Sequence, residues 1–296
     1  MELQVDSLKG IVYTKKGNDA KEVLSKIRRS DALFVDKDGV IADISELLYI
    51  NRRLGFEANN MKFEYSKETN YMLGGIGDRH FGILQSTLAF IAFDRLFDSK
   101  LRNRPGAHSK DREFQDIIRS SNPEDVIGDL IRGHTSAADI ELAERIRLWD
   151  NGAFFSSDES GIYVKPHRGA KEALFGLIDM YKGKAGIVTN TYSSKAAERD
   201  LRACGFSETE LKSVIIVYGA KKPLPDGILK AAGIVGARAE QSVYVGDSVI
   251  DLRAARNAGS LPVGVTGGMG TLGLLKSERP DIILDGLESL HMALRK

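Results

Sequence analysis

The chain has 296 residues, of which 42% are apolar and 28% are charged. This balance is typical of a globular protein and excludes a disordered or collagen-like chain. The 42 Lys and Arg residues nearly cancel the 41 Asp and Glu residues, so no overall charge attracts nucleic acid or an anionic membrane. We therefore expect a small-molecule substrate and no nucleic-acid partner.

The sequence also predicts the compartment. Its single cysteine, Cys204, excludes an internal disulfide, and no apolar run approaches the roughly 20 residues that span a bilayer. The first residues lack the basic and apolar pattern of a signal peptide. We expect a cytoplasmic protein with no membrane partner and with Cys204 in its core. The sequence leaves the oligomeric state open.

Short β-branched runs recur along the chain and predict buried strands. A strand at Ile11–Thr14 and a helix at Asp19–Arg29 come first, and the sequence assigns no role to either of them. The predicted buried strands are Ala32–Asp36, Ala185–Thr189, Val214–Val217, Ser242–Gly246, Leu261–Val265 and Asp281–Leu284.

Helical patterns separate the later strands. They cover residues 169–181, 193–204 and 248–258, with Ser193 as the N-cap of the second and Gly205 after its end. Strand and helix alternation of this kind predicts an α/β fold, with a doubly wound, mainly parallel sheet and right-handed crossovers.

The alternation is interrupted over residues 44–165, which predicts an inserted, mostly helical domain. Its helical patterns are residues 78–97, 110–120, 123–132 and 135–149. A turn at Ser157–Gly161, between Phe154-Phe155 and Ile162-Tyr163-Val164, predicts a short two-stranded return. The expected organisation is therefore an N-terminal extension with the first part of a core (1–43), a helical insertion (44–165) and the remainder of the core (166–296).

Polar residues follow four of the predicted strands. Because ligands bind at the carboxyl ends of strands in an open α/β sheet, we expect these residues to form one site. Carboxylates gathered there repel one another unless a cation offsets their charge, and oxygen ligands without His or Cys favour Mg²⁺. The segments are Asp36-Lys37-Asp38, Thr189-Asn190, Lys221-Lys222-Pro223 and Asp247-Ser248-Val249-Ile250-Asp251.

These segments resemble the four motifs of the haloacid dehalogenase superfamily of phosphohydrolases, in their usual order. The resemblance covers residues 30–43 and 166–285 and is closest to the phosphoglycolate phosphatase-like branch. It implies a Rossmann-like core, with a helical cap at 44–165. The matching residues are Asp36-Lys37-Asp38-Gly39-Val40-Ile41 with Asp43, Thr189-Asn190, Lys222-Pro223 and Gly246-Asp247 with Asp251.

The resemblance also implies residue roles. Asp36 is the expected nucleophile, and Asp38 is the expected general acid and base. Substrate phosphate is expected to bind Thr189, Asn190 and Lys222. The expected ligands of Mg²⁺ are Asp36, the carbonyl of Asp38, Asp247 and, directly or through water, Asp251.

The expected activity is that of a Mg²⁺-dependent phosphatase that forms an aspartyl-phosphate intermediate. Its substrate is expected to be a small phosphorylated metabolite, such as phosphoglycolate, a sugar phosphate, pyrophosphate or a nucleotide. A phosphomutase with the same chemistry and a catalytically silent binding or scaffold protein are the alternatives. A dehalogenase is disfavoured because its chemistry does not need Asp38.

Some features near the motifs have two interpretations. Lys221 is an alternative phosphate ligand to Lys222, although the proline after Lys222 favours the latter. Lys37 replaces the apolar residue usual in the first motif, and we expect it to point away from the phosphate. The glycine-rich Gly268–Gly273 is interpreted as a flexible loop beside the site rather than a dinucleotide-binding turn, because too little chain follows it.

The insertion carries further charged features. Arg79 or His80 is a candidate anion ligand. The simpler interpretation is that this segment is an ordinary connection before the next helix. A basic cluster is interpreted as a solvated surface rather than a binding site for RNA or a second phosphate. The cluster comprises Lys100, Arg102, Arg104, His108, Lys110 and Arg112.

Overall fold

The computed structural model describes residues 10–15, 18–74, 83–106, 108–120, 123–150 and 157–296. The chain divides into two compact units. The core unit comprises Met1–Ile44 and Val164–Lys296, and the inserted unit comprises Ser45–Tyr163.

The core unit contains a seven-stranded sheet and a separate pair of short strands. The strands are β1 (Ile11–Thr14), β2 (Ala32–Val35), β3 (Ala42–Asp43), β4 (Lys165–Pro166), β5 (Ala185–Val188), β6 (Ile215–Val217), β7 (Ser242–Gly246), β8 (Leu261–Val265) and β9 (Ile282–Leu284). The order in the large sheet is β1-β9-β8-β7-β2-β5-β6, and only β1 is antiparallel to its neighbour.

Strand β2 lies in the interior of this sheet. It pairs with β7 on one side and β5 on the other, and all four of its side chains are buried. A continuous apolar run such as Ala-Leu-Phe-Val suits a strand that is covered on both faces. The six buried strands predicted for the sheet and the doubly wound α/β class are confirmed, and the predicted N-terminal strand joins the sheet at its end as β1, antiparallel to β9.

The helices of the described residues are, in chain order, α1 (Ala20–Arg28), α2 (Ser45–Glu57), α3 (Lys67–Gly74), α4 (Ile83–Leu96), α5 (Lys110–Ile118), α6 (Pro123–His134), α7 (Ala137–Asp150), α8 (Ala170–Met180), α9 (Ser194–Ala203), α10 (Glu208–Ser213), α11 (Asp226–Ile234), α12 (Val249–Asn257), α13 (Leu272–Ser277) and α14 (Leu287–Leu294). No helix of the described ranges is long and apolar enough to cross a membrane.

Local signals set the ends of α9. The Ser193 hydroxyl accepts a hydrogen bond from the amide of Ala196 at 3.2 Å, which satisfies one of the free amides of the first turn. Cys204 follows the helix and is buried, and Gly205 then adopts a φ of 86°. Burial raises the pKa of the Cys204 thiol to about 12, so the thiol stays protonated at neutral pH. The predicted cap and stop are both confirmed.

Aromatic side chains form much of the interior of the inserted unit. Phe114 of α5 stacks on Phe93 of α4 with ring centroids 4.5 Å apart. It also meets Phe90 and Tyr65 edge-on, at 5.4 and 5.5 Å. Phe90, Phe93 and Phe114 are fully buried, so α4 and α5 are held by a continuous apolar contact.

Helices α2 and α3 have no counterpart in the sequence-based prediction. In α2 the polar residues Asn51 and Arg52 are buried, which breaks the apolar repeat that marks a helix. The Arg52 guanidinium donates to the hydroxyls of Thr87 and Ser86 at 2.9 and 3.0 Å. Polar contacts within the unit therefore replace part of the apolar face.

The return from the insertion differs from the prediction of a strand at Ile162-Tyr163-Val164. Residues Glu159–Tyr163 form a 3₁₀ turn, in which the Ser160 hydroxyl donates to the carbonyl of Ser157 at 2.9 Å. The strand comes slightly later, at β4, and pairs with β3. Phe154 and Phe155 lie outside the described residues.

Carboxylates balance part of the predicted basic cluster. Arg102 pairs with Asp98 at 2.6 Å, and Arg104 pairs with Glu113 at 3.0 Å. The Lys110 ammonium bridges two carboxylates, Glu64 at 2.8 Å and Asp94 at 2.9 Å. Arg79 and His80, of which one or the other is a candidate anion ligand, lie outside the described residues.

Candidate active site

Asp36 stands directly after β2, at the carboxyl edge of the sheet. Its amide donates to the carbonyl of Val245 at 2.9 Å, which continues the pairing of β2 with β7. Its carboxylate accepts from the amide of Lys37 at 2.7 Å and lies 2.7 Å from the Lys222 ammonium. Burial raises the pKa of Asp36 to about 7, although the nearby Lys222 opposes the shift.

Lys222 is the lysine that lies beside Asp36. Its ammonium is buried and is also 2.7 Å from Asp251 and 3.1 Å from the hydroxyl of Tyr244. Burial alone would lower the pKa of Lys222, but Asp251 and Asp36 outweigh it, so the net shift is upward. Lys222 therefore stays charged. Lys221 is exposed.

Three carboxylates gather around this position. Oxygens of Asp36, Asp247 and Asp251 lie within 4.8 Å of one another, and all three side chains are buried. Burial, together with the charges of Asp251 and Asp36, raises the pKa of Asp247 well above its usual value. Such a cluster is unstable as three anions beside the single ammonium that the described residues place there, so the site favours a further cation.

The orientation of Asp247 fits a metal ion. Its Oδ2 accepts from the amide of Met269 at 2.6 Å, whereas its buried Oδ1 has no hydrogen-bond partner among the described residues. A buried carboxylate oxygen without a partner is costly unless a cation or water satisfies it. Hard oxygen donors of this kind suit Mg²⁺.

The contacts of Asp251 are different. Its Oδ1 is 2.7 Å from the Lys222 ammonium, and its Oδ2 accepts from the amide of Ser248 at 3.1 Å and from the Ser248 hydroxyl. Both oxygens thus accept hydrogen bonds from the chain itself. Asp251 thereby fixes Lys222 and the start of α12.

Two glycines allow the backbone to approach Asp247 closely. A Cβ on Gly39 would lie 2.2 Å from Asp247 Oδ2, and Gly39 also adopts a φ of 78°. A Cβ on Gly268 would lie 2.0 Å from the same oxygen. The segment predicted as a flexible loop therefore borders Asp247 at Gly268 and Met269. Its last part instead begins α13, with the Thr271 hydroxyl accepting from the amide of Leu274.

Asp38 lies two residues beyond Asp36. Its Oδ2 accepts from the hydroxyl of Thr191 at 3.3 Å, and its Oδ1 is in contact with the Lys37 ammonium. Lys37 is buried, and it also contacts Asp200. Asp38 itself keeps 15% of its side chain exposed.

Thr189 and Asn190 follow β5. The buried Thr189 hydroxyl accepts from the amide of Thr191 at 3.1 Å. The Asn190 side chain accepts from the amide of Lys222 at 2.7 Å, so its described contact is with the backbone of the lysine. Their binding of substrate phosphate stays a prediction.

The structure adds residues that the sequence analysis did not single out: Thr191, Asp200, Tyr244 and Met269. Tyr244 is the aromatic residue of the buried strand β7, and its hydroxyl within an apolar run is a signal visible in the sequence. Asp200 lies on α9 and Met269 contributes only its amide, so neither has a local sequence signal.

Comparisons with known proteins identify the family of the chain. A family model described as haloacid dehalogenase-like hydrolase matches residues 30–259. Phosphoglycolate phosphatases of Neisseria meningitidis and Neisseria gonorrhoeae are 31% and 32% identical over 158 residues. Each alignment covers 50% of this chain and less than two thirds of the relative, 66% and 65%.

A solved structure supports the fold. A haloacid dehalogenase-like family protein of Streptococcus pneumoniae superposes with a TM-score of 0.59 at 16% identity. The superposition covers 91% of this chain and 99% of the other. The expected phosphoglycolate phosphatase-like resemblance is confirmed, and the chain belongs to the haloacid dehalogenase-like hydrolase family.

Proposed function

We propose that this protein is a Mg²⁺-dependent phosphatase that acts on a small phosphorylated metabolite through an aspartyl-phosphate intermediate. The observation that carries the proposal is the buried cluster of Asp36, Asp247 and Asp251 around the Lys222 ammonium. The family and the curated relatives named phosphoglycolate phosphatase support the same reaction class.

The reaction begins at Asp36. Its carboxylate attacks the phosphorus of the substrate, and the bond from phosphorus to the leaving oxygen breaks. Protonated Asp38 gives its proton to that oxygen, so the product leaves as an alcohol. Asp38 then takes a proton from water, which attacks the aspartyl phosphate and releases phosphate and Asp36.

Lys222 and Thr189 hold the phosphoryl group. The Lys222 ammonium neutralises charge on the phosphoryl oxygens, and the Thr189 hydroxyl donates a hydrogen bond to one of them. Asp36, Asp247 and the carbonyl of Asp38 would hold Mg²⁺, with Asp251 behind them. When bound, this ion supplies positive charge to the phosphoryl oxygens and to the carboxylates.

The inserted unit is proposed to act as a cap that selects the substrate. Phosphoglycolate is the first candidate substrate, because two relatives are named phosphoglycolate phosphatase. Sugar phosphates, pyrophosphate and nucleotides follow. In each case the protein needs only to recognise the group beyond the phosphate.

The test is phosphate release from p-nitrophenyl phosphate and a panel of these metabolites, with Mg²⁺ or excess EDTA. We expect Mg²⁺-dependent release by the wild type and a loss of at least about 1,000-fold in Asp36→Asn, because the nucleophile is removed. Transfer of phosphate to a second position of a sugar, in place of release, would favour a phosphomutase. A folded wild type without activity on the panel would contradict the proposal and favour a binding or scaffold protein.

A further inference from the structure

A second ion cluster lies behind Asp38 in the core unit. Lys37, between the two aspartates of the first motif, is only 1% exposed. Its ammonium contacts Asp38 Oδ1 and lies 2.5 Å from Asp200 Oδ2, and Asp200 is also 1% exposed. The ammonium thus connects the loop after β2 to helix α9.

This contact distinguishes the two oxygens of Asp38. Oδ1 faces the Lys37 ammonium, whereas Oδ2 has a single described partner, the Thr191 hydroxyl at 3.3 Å. A charged hydrogen bond is stronger than a neutral one and restricts the side chain more. Oδ2 is therefore the oxygen left to exchange a proton.

Asp200 gives the ammonium a fixed position. Its other oxygen, Oδ1, accepts from the Nε of Arg199 at 2.9 Å. Asp200 is thus held from two sides, and the charge of Lys37 is shared between Asp38 and a carboxylate that does not belong to the four motifs. Burial would lower the pKa of Lys37, but Asp38 and Asp200 outweigh it and raise the pKa.

Stability alone does not explain this cluster. Buried ion pairs lose much of their attraction to desolvation, and apolar residues of similar size often replace them without loss of stability. An apolar side chain of similar length at position 37 would occupy the same space, and Asp200 would keep its contact with Arg199. The contact with Asp38 is what such a side chain could not supply.

We propose that Lys37, anchored by Asp200, is a positioning residue that fixes Asp38 with Oδ2 directed to the leaving oxygen and then to water. This inference rests on the proposed phosphatase function. It assigns no chemical step to Lys37 itself. Its effect is exerted through the orientation of Asp38.

The orientation of an acid matters most when the leaving group is poor. An alkoxide needs a proton as the bond to phosphorus breaks, whereas the p-nitrophenolate ion leaves readily without one. Lys37→Met keeps the length and apolar stem of the side chain and removes the ammonium. The loss of activity should therefore depend on the leaving group.

The experiment compares kcat/KM for an alkyl phosphate with kcat/KM for p-nitrophenyl phosphate. The alkyl phosphate is phosphoglycolate or, if another alkyl phosphate of the panel has a higher kcat/KM, that compound. We expect Lys37→Met to lower the alkyl value at least about tenfold more than the aryl value. With p-nitrophenyl phosphate, a burst of one nitrophenol per enzyme should precede slow turnover, because hydrolysis of the aspartyl phosphate still needs Asp38. Inhibition by inorganic phosphate should be unchanged.

Two further variants separate positioning from folding. Asp200→Asn weakens the contact that anchors Lys37 and leaves Arg199 in place. Its loss of activity should therefore show the same dependence on the leaving group. If Lys37→Met does not fold, Asp200→Asn alone tests the proposal. Lys110→Met is the control, because Lys110 is a lysine of the inserted unit that also bridges two carboxylates. It should lower kcat/KM equally for both substrates or not at all. An active wild type with equal losses for both substrates in Lys37→Met and Asp200→Asn would overturn the positioning role. An inactive wild type would instead overturn the phosphatase function on which it rests.

Discussion

The hydroxyl of Tyr244 lies 3.1 Å from the ammonium of Lys222, inside the core unit. The hydroxyl donates its own hydrogen to the carbonyl of Val188 at 2.9 Å, so it accepts from the lysine. With Asp36 and Asp251, each at 2.7 Å, it gives the ammonium three directed partners. Two of these are carboxylates, and the third is neutral.

Tyr244→Phe should lower kcat/KM about tenfold, because the ammonium loses a hydrogen bond that sets its direction and such bonds contribute about 1.5–3 kcal/mol. Steady-state kinetics and thermal unfolding should be measured together. Tyr181→Phe is the matched control. The buried Tyr181 hydroxyl donates a hydrogen bond of 2.5 Å to the carbonyl of Ile27, and neither residue belongs to the four motifs. An equal loss of activity in both variants would show that the effect is general destabilisation.

Gly268→Ala should weaken Mg²⁺ binding at least about tenfold, because the new Cβ would lie 2.0 Å from Asp247 Oδ2 and force this carboxylate to move. Calorimetric titration with Mg²⁺ alone measures this without activity. Gly273→Ala is the control, since the nearest atom to its Cβ is the Thr271 hydroxyl oxygen at 3.9 Å. Unchanged Mg²⁺ affinity in Gly268→Ala would contradict the assignment of Asp247 as a ligand.

The stability of the metal-free protein should fall as the pH rises from about 4 to about 7. The pKa of Asp36 is raised from 3.8 to about 7, and that of Asp247 is also raised, so the folded state holds protons that the unfolded state releases. Each such group lowers the free energy of unfolding by up to about 1.4 kcal/mol per pH unit within this range. Urea unfolding in EDTA at pH 5 and pH 7 measures the difference.

Asp247→Asn should reduce this dependence on pH, because one of the two groups no longer titrates. Added Mg²⁺ should stabilise the wild type more at pH 7 than at pH 5, since it binds the ionised carboxylates. Asp179→Asn, which removes an exposed carboxyl of the core unit, serves as the control. A wild type and an Asp247→Asn variant with the same dependence would rule out the raised pKa of Asp247.

In the inserted unit, Phe114→Ala should lower the free energy of unfolding by about 3–5 kcal/mol, because it removes a fully buried ring that contacts three aromatic neighbours. Chemical denaturation measures the change. Ile140→Ala, at a side chain that is 48% exposed, should cost less than about 1 kcal/mol. Comparable losses in both variants would contradict the central place of the aromatic cluster.

Sequence patterns predict the strands of the core unit well, because buried parallel strands are short continuous apolar runs. The same patterns predict the meeting of Asp36, Lys222 and Asp247, since each follows such a run and the strands end at one edge of the sheet. The strand order of the sheet places residues that are distant in sequence next to one another. The polar residues that follow these apolar runs are the signal that predicts this meeting.

Contacts that depend on single side chains are less visible in the sequence. Lys37 and Asp200 are distant in sequence, and nothing in either segment predicts their pairing. Helix α2 escaped prediction because Asn51 and Arg52 are buried at positions where an apolar residue is expected. Both cases involve buried polar groups, whose partners come from tertiary structure rather than from a local repeat.

The pairing of β3 with β4 has a consequence for how the chain can change. Ala42 faces Pro166 and Asp43 faces Lys165, so the chain leaves the core unit and re-enters it at adjacent positions. The entropy of closing a loop grows only slowly with loop length once its ends are fixed together. An insertion at this point can therefore lengthen, shorten or be exchanged at little cost to the sheet. Because β3 and β4 fix the two ends of the insertion, one inserted unit can be replaced by another at this junction during evolution.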